Sequence, residues 1–209
     1  MTIKALTLAA VSLTMGALAA GPALAQQRPM AVTPTRDVSV QYAAQDGRSA
    51  DMSWQAATQK MRIETQELPG TVLVDTPTNH AVMLIPQQRI AMNIAISSLP
   101  NGEMANPQAL ANQITGRGGS ATVAGLRCTD WNFRHESRGK VTTGTACLTD
   151  DGVTLRVIST SGGKPFRAEA TRVTYGPQDP GKFQVPAGYH GMSSAGIGQA
   201  LQGLLGNRR

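Results

Sequence analysis

Hydrophobic and polar residues alternate with a period of two along most of the chain from Asp37 onward. Val38, Val40 and Tyr42 alternate with polar neighbours, and later segments either follow the same pattern or are short apolar runs. Because successive side chains of a strand point to opposite faces, this alternation predicts half-buried strands. The segments predicted as strands are "DVSVQYA", "DMSWQA", "KMRIETQ", "TVLVD", "HAVMLI", "RIAMNIAI", "GGSATVAGLRCTDWNFRHE", "GKVTTGTACLT", "GVTLRVIST" and "PFRAEATRVTYG".

Turn residues separate these segments at short intervals. Asp46-Gly47 is a strong hairpin signal, and Pro69-Gly70 and Pro77 interrupt the next apolar stretch. Turns that recur about every 8–12 residues are typical of an antiparallel meander. The chain has no alternation of strands with long helices, so we do not expect a parallel sheet.

One segment breaks the alternation and predicts a short helix. Asn106 is a suitable N-cap, and Pro107 suits the first helical position. Leu110 and Ile114 are four residues apart on one helix face, and Gly116 is suited to end the helix. We therefore predict a mainly β (α+β) protein with about ten antiparallel strands and one or two short helices.

Residues 1–25 have the features of a cleavable signal peptide. Lys4 precedes an apolar run, and an A-x-A cleavage pattern ends at Ala25. No cysteine follows the apolar run, so we expect no lipid attachment; an uncleaved membrane anchor is the alternative. We predict a periplasmic or secreted protein with a flexible leader at 26–36 and a single antiparallel-sheet domain at 37–192.

The C-terminal residues 193–209 form a glycine-rich tail. A weak amphipathic helix is one interpretation, because four apolar residues are spaced for one face and two arginines end the chain. The four glycines of the tail lower its helix propensity. Docking on the sheet, disorder, and peripheral contact with a membrane or a partner stay open. The apolar residues are Ile197, Leu201, Leu204 and Leu205.

The net charge is positive but not concentrated. The chain carries a formal charge of +6, and because Lys4 lies in the signal peptide the exported part carries +5. The basic residues are scattered, and aromatic residues make up only 4% of the chain, which together with export argues against nucleic acid as a partner. Solvated faces and weak attraction to an anionic membrane surface are the two remaining interpretations.

Cys128 and Cys147 are the only cysteines, and both lie in the exported part. An isolated pair in an oxidising compartment predicts a disulfide, and the spacing is not that of a redox or zinc motif. The midpoint of the pair falls between Ser137 and Arg138, so a hairpin bending there would place the cysteines directly opposite each other. Facing residues are about 4.5–5.5 Å apart, within disulfide range. Closing a loop of roughly 20 residues is worth about 3 kcal/mol in the chain-entropy model.

The stretch "CLTDDGVTLR" raises the question of an acid/base or metal site. Asp151-Gly152 is a favoured type I′ turn pair, with Asp150 flanking the turn. Acids at a hairpin tip are solvated, and the calcium-loop pattern D-x-D-x-D-G is absent. We therefore interpret the stretch as two strands around a bend.

The remaining candidates for chemistry do not form a motif. His80, His135 and His190 are far apart in sequence and match no metal-ligand spacing. The chain has neither a G-x-S-x-G nucleophile motif nor a Walker loop, and the glycine-rich residues 116–120 lack the lysine and helix of a phosphate site. We predict a protein that is not an enzyme and holds neither a metal nor a cofactor.

Methionines recur in successive apolar strands and predict one apolar sheet face. Methionine packs cores well and also lines adaptable apolar pockets. Such a face must be covered by helices, a second sheet or a ligand. A packed core and a lipid-like pocket therefore both stay open. The candidate ligand-binding residues are Met52, Trp54, Met61, Ile63, Met83 and Met92.

The region from about Ser39 to Met192 resembles an uncharacterised family of exported bacterial domains, itself similar in strand pattern to the lipoprotein carriers LolA and LolB. The resemblance implies a curved antiparallel sheet, or half-barrel, capped by helices over an apolar cavity for acyl chains. It implies no catalytic residues, and the C-terminal tail does not match the family. The residues that carry it are "KMRIETQ", "VLVDTPTNHAVMLIPQQRIAM", "VAGLRCTDW", "ACLTDDGVTLR" and "VTYGPQDPGKFQVPAGY".

Two functions are consistent with these observations. The first is a periplasmic, non-enzymatic protein that binds a lipid or an acylated partner such as a lipoprotein in an apolar concavity. The alternative is an envelope protein–protein interaction or structural module whose core is filled by its own side chains.

Overall fold

The computed structural model describes residues 30–66, 68–96, 111–137 and 139–192, in which twelve strands form one open sheet. The strand order is β12-β6-β5-β4-β3-β2-β1-β11-β10-β9-β8-β7, and every pair is antiparallel except β6–β12. We call β1–β6 the N-terminal half and β7–β11 the C-terminal half. The strands are β1 Val38–Ala44, β2 Ser49–Gln55, β3 Lys60–Thr65, β4 Thr71–Asp75, β5 His80–Ile85, β6 Ile90–Ile94, β7 Ile114–Val123, β8 Leu126–Ser137, β9 Lys140–Leu148, β10 Thr154–Ser161, β11 Lys164–Tyr175 and β12 His190–Met192.

The predicted antiparallel meander is confirmed, and four hairpins of its N-terminal half share one turn geometry. In each, an N–H donates to the carbonyl three residues earlier, and the donor residue has a positive φ. This is a type I turn followed by a left-handed residue. Glycine fills the left-handed position only once among the four. The residues are Gly47, Gln59, Asn79 and Arg89, with φ of +83°, +51°, +53° and +52°.

The structure has two more strands than the sequence predicts. The long segment predicted as one strand is divided at Ala124-Gly125, where positive φ at both residues makes a two-residue type I′ turn between β7 and β8. The other addition is β12, which pairs with β6 and follows a 3₁₀ helix at Pro180–Phe183. A three-residue strand that depends on a partner about 100 residues earlier leaves no local pattern.

The predicted helix is partly wrong at its C-terminal end. Residues 111–113 are helical, but Ile114 begins β7 and Gly116 lies within it. Ile114 pairs with Phe133 of β8, so tertiary pairing replaces the helix end at this point. Asn106, Pro107 and Leu110 lie outside the described residues, as do residues 1–25 and 193–209. No helix in the described ranges is long and apolar enough to cross a bilayer.

The sheet curls strongly in its C-terminal half. β7 contacts β11 although β8, β9 and β10 separate them in the sheet. The register is irregular at Gln41/Tyr42, at Thr154/Arg156 and at two places in β7, and such bulges bend and twist a sheet. The curved, open shape agrees with the predicted curved sheet.

The N-terminal half is covered on one face by the chain that follows β11. Between Tyr175 and β12 this segment crosses from one side of the half to the other, and Phe183 of the 3₁₀ helix is buried. Arg62 of β3 donates from Nη1 to the carbonyl of Lys182 at 3.0 Å. Tyr189 packs against buried Leu73 and Leu84. This face lies opposite the methionine-bearing face, because Leu73 alternates with Val72 and Val74 along β4.

Residues 30–36, which we call the N-terminal strap, differ from the flexible leader that the sequence predicts. The indole Nε1 of Trp54 donates to the carbonyl of Pro34 at 2.8 Å, and Thr35 N donates to the carbonyl of Asp151 at 2.9 Å. Val32 packs against a cluster of buried residues that includes Phe133. These long-range contacts hold the strap against the sheet, while residues 26–29 lie outside the described ranges.

Candidate functional site

The six apolar residues proposed from the sequence lie on one face of the sheet, which we call the methionine face. Met52 is opposite Ile63 and Trp54 is opposite Met61 across β2 and β3. Met83 is opposite Met92 across β5 and β6. Val72 and Val74 of β4 lie between the two groups. Val72 is opposite Ile63 and Met83, and Val74 is opposite Met61 and Ala81.

Much of the methionine face is packed by side chains of the same chain. Trp54 is 1% exposed and belongs to a cluster with Val38 and Val40, while Met83 is 8% exposed and packs with Val72. The other four proposed residues are half-buried. The described side chains therefore already fill the centre of this face, and a ligand-binding role for it stays a prediction.

The predicted disulfide between Cys128 and Cys147 is present, with the two Cα atoms 5.4 Å apart. The predicted register is wrong by two residues. Cys147 is opposite Asp130, and Ser137 pairs with Lys140, so the cysteines are diagonal neighbours on one face rather than a facing pair. Such a bond forms and persists in oxidising compartments outside the reducing cytoplasm.

The acidic stretch forms a turn, as predicted, but the turn type and the surroundings of Asp151 differ from the prediction. Gly152 N donates to the carbonyl of Thr149, so Asp150 and Asp151 are the central residues and Gly152, with φ of +88°, is the left-handed residue that follows. Neither acid has the positive φ of a type I′ turn. The geometry is that of the β1–β2 turn at Gly47.

Asp151 is not a solvated turn acid. It accepts hydrogen bonds from Thr149 Oγ1 at 2.6 Å, Arg36 Nε at 2.9 Å and Tyr175 Oη at 3.1 Å. Burial acts to raise the pKa of Asp151, but these hydrogen bonds and the charge of Arg36 outweigh it and lower the pKa below its usual range. The Arg36 guanidinium also lies 3.8 Å from the Tyr175 ring centroid. The carboxylate therefore anchors the strap to the β9–β10 turn.

An open groove lies where the C-terminal half curls back onto β1 and β11. Its volume is about 560 Å³, and its walls are Ala43–Gln45 of β1 and the following turn, Thr122–Ala124 at the end of β7, and residues 167 and 169–171 of β11. We call it the edge groove because β7 is an edge strand of the sheet. Most of the lining side chains are small or polar, and no motif in the sequence connects these three segments.

A group of four charged side chains lies beside the edge groove. Arg156 donates from Nη2 to both carboxylate oxygens of Asp130, at 3.0 and 3.2 Å, and its Nη1 lies 3.7 Å from Glu169 Oε1. Glu169 also accepts from Arg167 Nη2 at 2.7 Å. Arg156 is 18% exposed, and its Nε is buried without a hydrogen-bond partner in the structure. Because Asp130 is directly opposite Cys147, these ion pairs adjoin the disulfide.

The three histidines, for which the sequence predicts no metal site, lie on different strands. His80 begins β5, His135 lies on β8, and His190 begins β12. In the part of the chain that the structure describes, no group of three or more histidine, cysteine, aspartate or glutamate side chains is arranged to hold a metal ion.

An open, curled antiparallel sheet of this kind is found in other proteins of known structure. The fold is similar to that of an uncharacterized conserved protein from Thermus thermophilus, with a TM-score of 0.52 and 8% sequence identity over 76% of this chain and 91% of that chain. At this identity the similarity shows the fold alone.

Two more distant similarities have lower scores. A chain of the MucA/MucB complex of Pseudomonas aeruginosa matches with a TM-score of 0.45 and 16% identity over 73% of this chain and 56% of that one. PNGF-II matches with a TM-score of 0.49 and 9% identity over 78% of this chain and 32% of PNGF-II. This chain therefore spans about half of the one and a third of the other. No protein-family model and no curated protein matches the sequence.

Proposed function

We propose that this chain is a non-enzymatic, LolA/LolB-like domain of the periplasm that binds a partner protein of the cell envelope. The observation that carries the proposal is the packing of the methionine face. Trp54, Val72 and Val74 are each no more than 1% exposed, so the centre of the most apolar face of the sheet is core rather than an empty acyl cavity. A domain with a self-filled core binds through its edges and outer surfaces.

The periplasmic location is supported by two independent features. The Cys128–Cys147 disulfide is typical of exported proteins, and residues 1–25 have the pattern of a signal peptide. The one acid that the sequence raised as a candidate and that is half-buried has a structural role, because the Asp151 carboxylate holds Arg36 of the strap.

A lipid or acylated partner is the second candidate, and one observation favours it. Met52, Met61, Ile63 and Met92 are only half-buried, so the margins of the methionine face keep accessible apolar area. Flexible methionine side chains repack readily around an apolar chain. The two candidates differ in whether the protein isolated from cells carries a bound acyl species.

Native mass spectrometry of the mature protein from its own periplasm, followed by lipid extraction, tests the choice. We expect the polypeptide mass less two hydrogens for the disulfide, with no acyl species. A stoichiometric acyl species would overturn the packed-core interpretation and establish a carrier. Met92→Glu is a matched variant, because a charge at the margin of the face would eliminate acyl binding.

Partner binding is tested separately by photo-crosslinking in living cells. A photoreactive residue is placed singly at exposed positions of both halves, Asn93 and Val185 in the N-terminal half or on its cover and Thr122 and Lys164 in the C-terminal half. A specific protein adduct at any of them supports the proposed function. Absence of adducts at all four positions, in a protein that is folded and oxidised, would contradict it.

A further inference from the structure

We propose that the free edge of β7 and the edge groove bind an extended, acidic peptide segment as an additional strand of the sheet. The inference rests on the proposed partner-binding function and names the surface and the chemistry of the partner. β7 ends the sheet, and its ten residues run from Ile114 to Val123. An edge strand presents unpaired N–H and C=O groups that a further strand can complete.

The backbone of this edge is accessible. Residues 117–120 and Thr122 are exposed, and a Cβ on Gly119 would point into open space above the face of the sheet. Between Arg117 and Ser120 the pairing with β8 is interrupted, and it resumes from Ser120 to Val123. β7 has no proline or lysine, and Arg117 is its one charged residue, so of the usual edge protections it carries its two register irregularities, which leave residues 120–123 as the regular template.

The opposite edge of the sheet is different. β12 has only three residues and pairs parallel to β6, so it offers a short template. Short edge strands are a common device against unwanted pairing. An added strand is therefore expected at β7 rather than at β12.

The edge groove supplies a second wall for such a strand. Thr122 and Val123 belong to the edge strand, and the facing wall is formed by the ends of β1 and β11. Ala43, Ala44 and Ala170 leave room for backbone at their positions, while the rest of that wall is polar and offers hydrogen-bond partners; its members are Gln45, Arg167, Glu169 and Thr171. A volume of about 560 Å³ lies in the range of sites that bind small ligands and short chain segments.

The charges around the groove select an acidic segment. Glu169, the one acid that lines it, is already paired with Arg167 and lies near Arg156. Arg127 is directly opposite Thr122, and Arg172 follows Thr171 of the wall; both are exposed. Neither arginine has an ion pair with another described residue. The excess charge beside the groove is therefore positive, which attracts carboxylates and disfavours a basic segment.

The direct test measures binding of a fluorescein-labelled nine-residue peptide that alternates threonine and glutamate, using the oxidised full domain. Two matched peptides carry N-methyl groups on alternate amides or lysine in place of glutamate. We expect the acidic peptide to bind and both matched peptides to bind at least about tenfold more weakly, because strand hydrogen bonds or charge attraction are lost. No binding, or equal binding of the N-methylated peptide, would overturn the proposal.

Variants and hydrogen exchange locate the site. Arg127→Glu and Arg172→Glu together are expected to weaken binding at least about tenfold, while Lys182→Glu, exposed on the other half, leaves it unchanged. Bound peptide is expected to slow amide exchange in residues 114–123. Protection confined to other strands would contradict the site, even if the N-methylated peptide binds poorly.

Failure of this proposal and failure of the proposed function give different results. Photo-crosslinks to a protein at Asn93, Val185 or Lys164 but not at Thr122, with no peptide binding, would retain a partner-binding function and reject the β7 site. Acyl species in the native protein would instead reject the proposed function itself.

Discussion

The two halves of the sheet are built differently although both are antiparallel meanders. Strands of the N-terminal half have five to seven residues and pair with each other without register shifts. Strands of the C-terminal half have eight to twelve residues, and the half holds register irregularities, the disulfide and the Arg156 ion pairs. Both halves share apolar packing, since the cluster around Trp54 includes Cys147 and Leu155, and the C-terminal half adds specific cross-links to that packing.

This difference shows which half of the sheet leaves surfaces open for binding. Regular rows bury the centre of the methionine face on one side, and the segment after β11 packs on the other, so the half-buried margins of the methionine face are what the two faces leave accessible. The curl of the C-terminal half leaves an edge strand and a groove. Polar and covalent links hold such an irregular shape better than apolar packing alone, because they are directional.

The largest expected difference in stability comes from replacing each of the two tryptophans by alanine. Trp54 of the N-terminal half is 1% exposed, whereas Trp131 of the C-terminal half is half-buried. We expect Trp54→Ala to lower the free energy of unfolding by about 3–5 kcal/mol, and Trp131→Ala by about 1–2 kcal/mol. Guanidinium denaturation followed by circular dichroism measures both. Equal losses would mean that the cluster around Trp54, to which both halves contribute, supports the fold no more than the packing around Trp131 does.

Removing the disulfide tests how much this cross-link stabilises the C-terminal half. We expect Cys128→Ala with Cys147→Ala to lower the free energy of unfolding by about 3 kcal/mol, because the unfolded chain gains conformational freedom. Hydrogen exchange should accelerate more in β7–β9 than in β2–β5. The reduced wild-type protein is the matched control and should behave in the same way. Uniform acceleration in both halves would contradict a local role for the bond.

The strands could largely be predicted from the sequence because each one carries its own alternation. Met52 and Ile63, for example, were expected on one face, and the register places them directly opposite each other. The disulfide could be predicted from composition and compartment. Its register could not, because placing the bend at the midpoint assumes facing cysteines, whereas the actual pairing is diagonal.

The contacts that define the strap and the edge groove could not be predicted from local patterns. Arg36 and Asp151 are 115 residues apart, and the acid–glycine pair at 151 and 152 looks like the solvated pair at 46 and 47. The groove combines the paired strands β1 and β11 with β7, which reaches them only because the sheet curls. The β7 edge carries one available signal, its run of Gly116, Gly118 and Gly119, but this run lacks the features of a phosphate site and by itself indicates no other function.

Gly47 and Gly152 occupy the same type of turn, but only Gly152 lies against the strap, so alanine at each position isolates the effect of the strap. A Cβ at Gly152 would overlap the carbonyl oxygen of Thr33, whereas a Cβ at Gly47 meets no atom within 4 Å; their φ angles are +88° and +83°. We expect Gly47→Ala to cost about 1 kcal/mol from backbone strain alone, and Gly152→Ala about 1–3 kcal/mol more from the clash. Thermal and urea denaturation measure both. Equal costs would show that the strap moves away from the added methyl group without a loss of stability.

The smallest expected effect is a pH dependence of stability that distinguishes Asp151 from Asp46, the acid of the β1–β2 turn. The pKa of Asp151 is lowered in the folded protein, so its ionised carboxylate stabilises the fold above the unfolded pKa of about 3.9, and the contribution is lost as the pH falls through the lower folded value. Because Arg36 is 61% exposed, we expect only about 0.5–1 kcal/mol.

The measurement compares the wild-type protein with Asp151→Asn by urea denaturation between pH 7 and pH 2.5. The difference in the free energy of unfolding should be constant above about pH 5 and shrink below about pH 4. Asp46→Asn is the matched control, because the Asp46–Arg48 pair is exposed and should lose its effect in high salt. The Asp151 effect should persist in salt, since Thr149 and Tyr175 also donate to this carboxylate. If salt removes both effects equally, Asp151 acts as an ordinary surface charge and the strap is held by its backbone contacts alone.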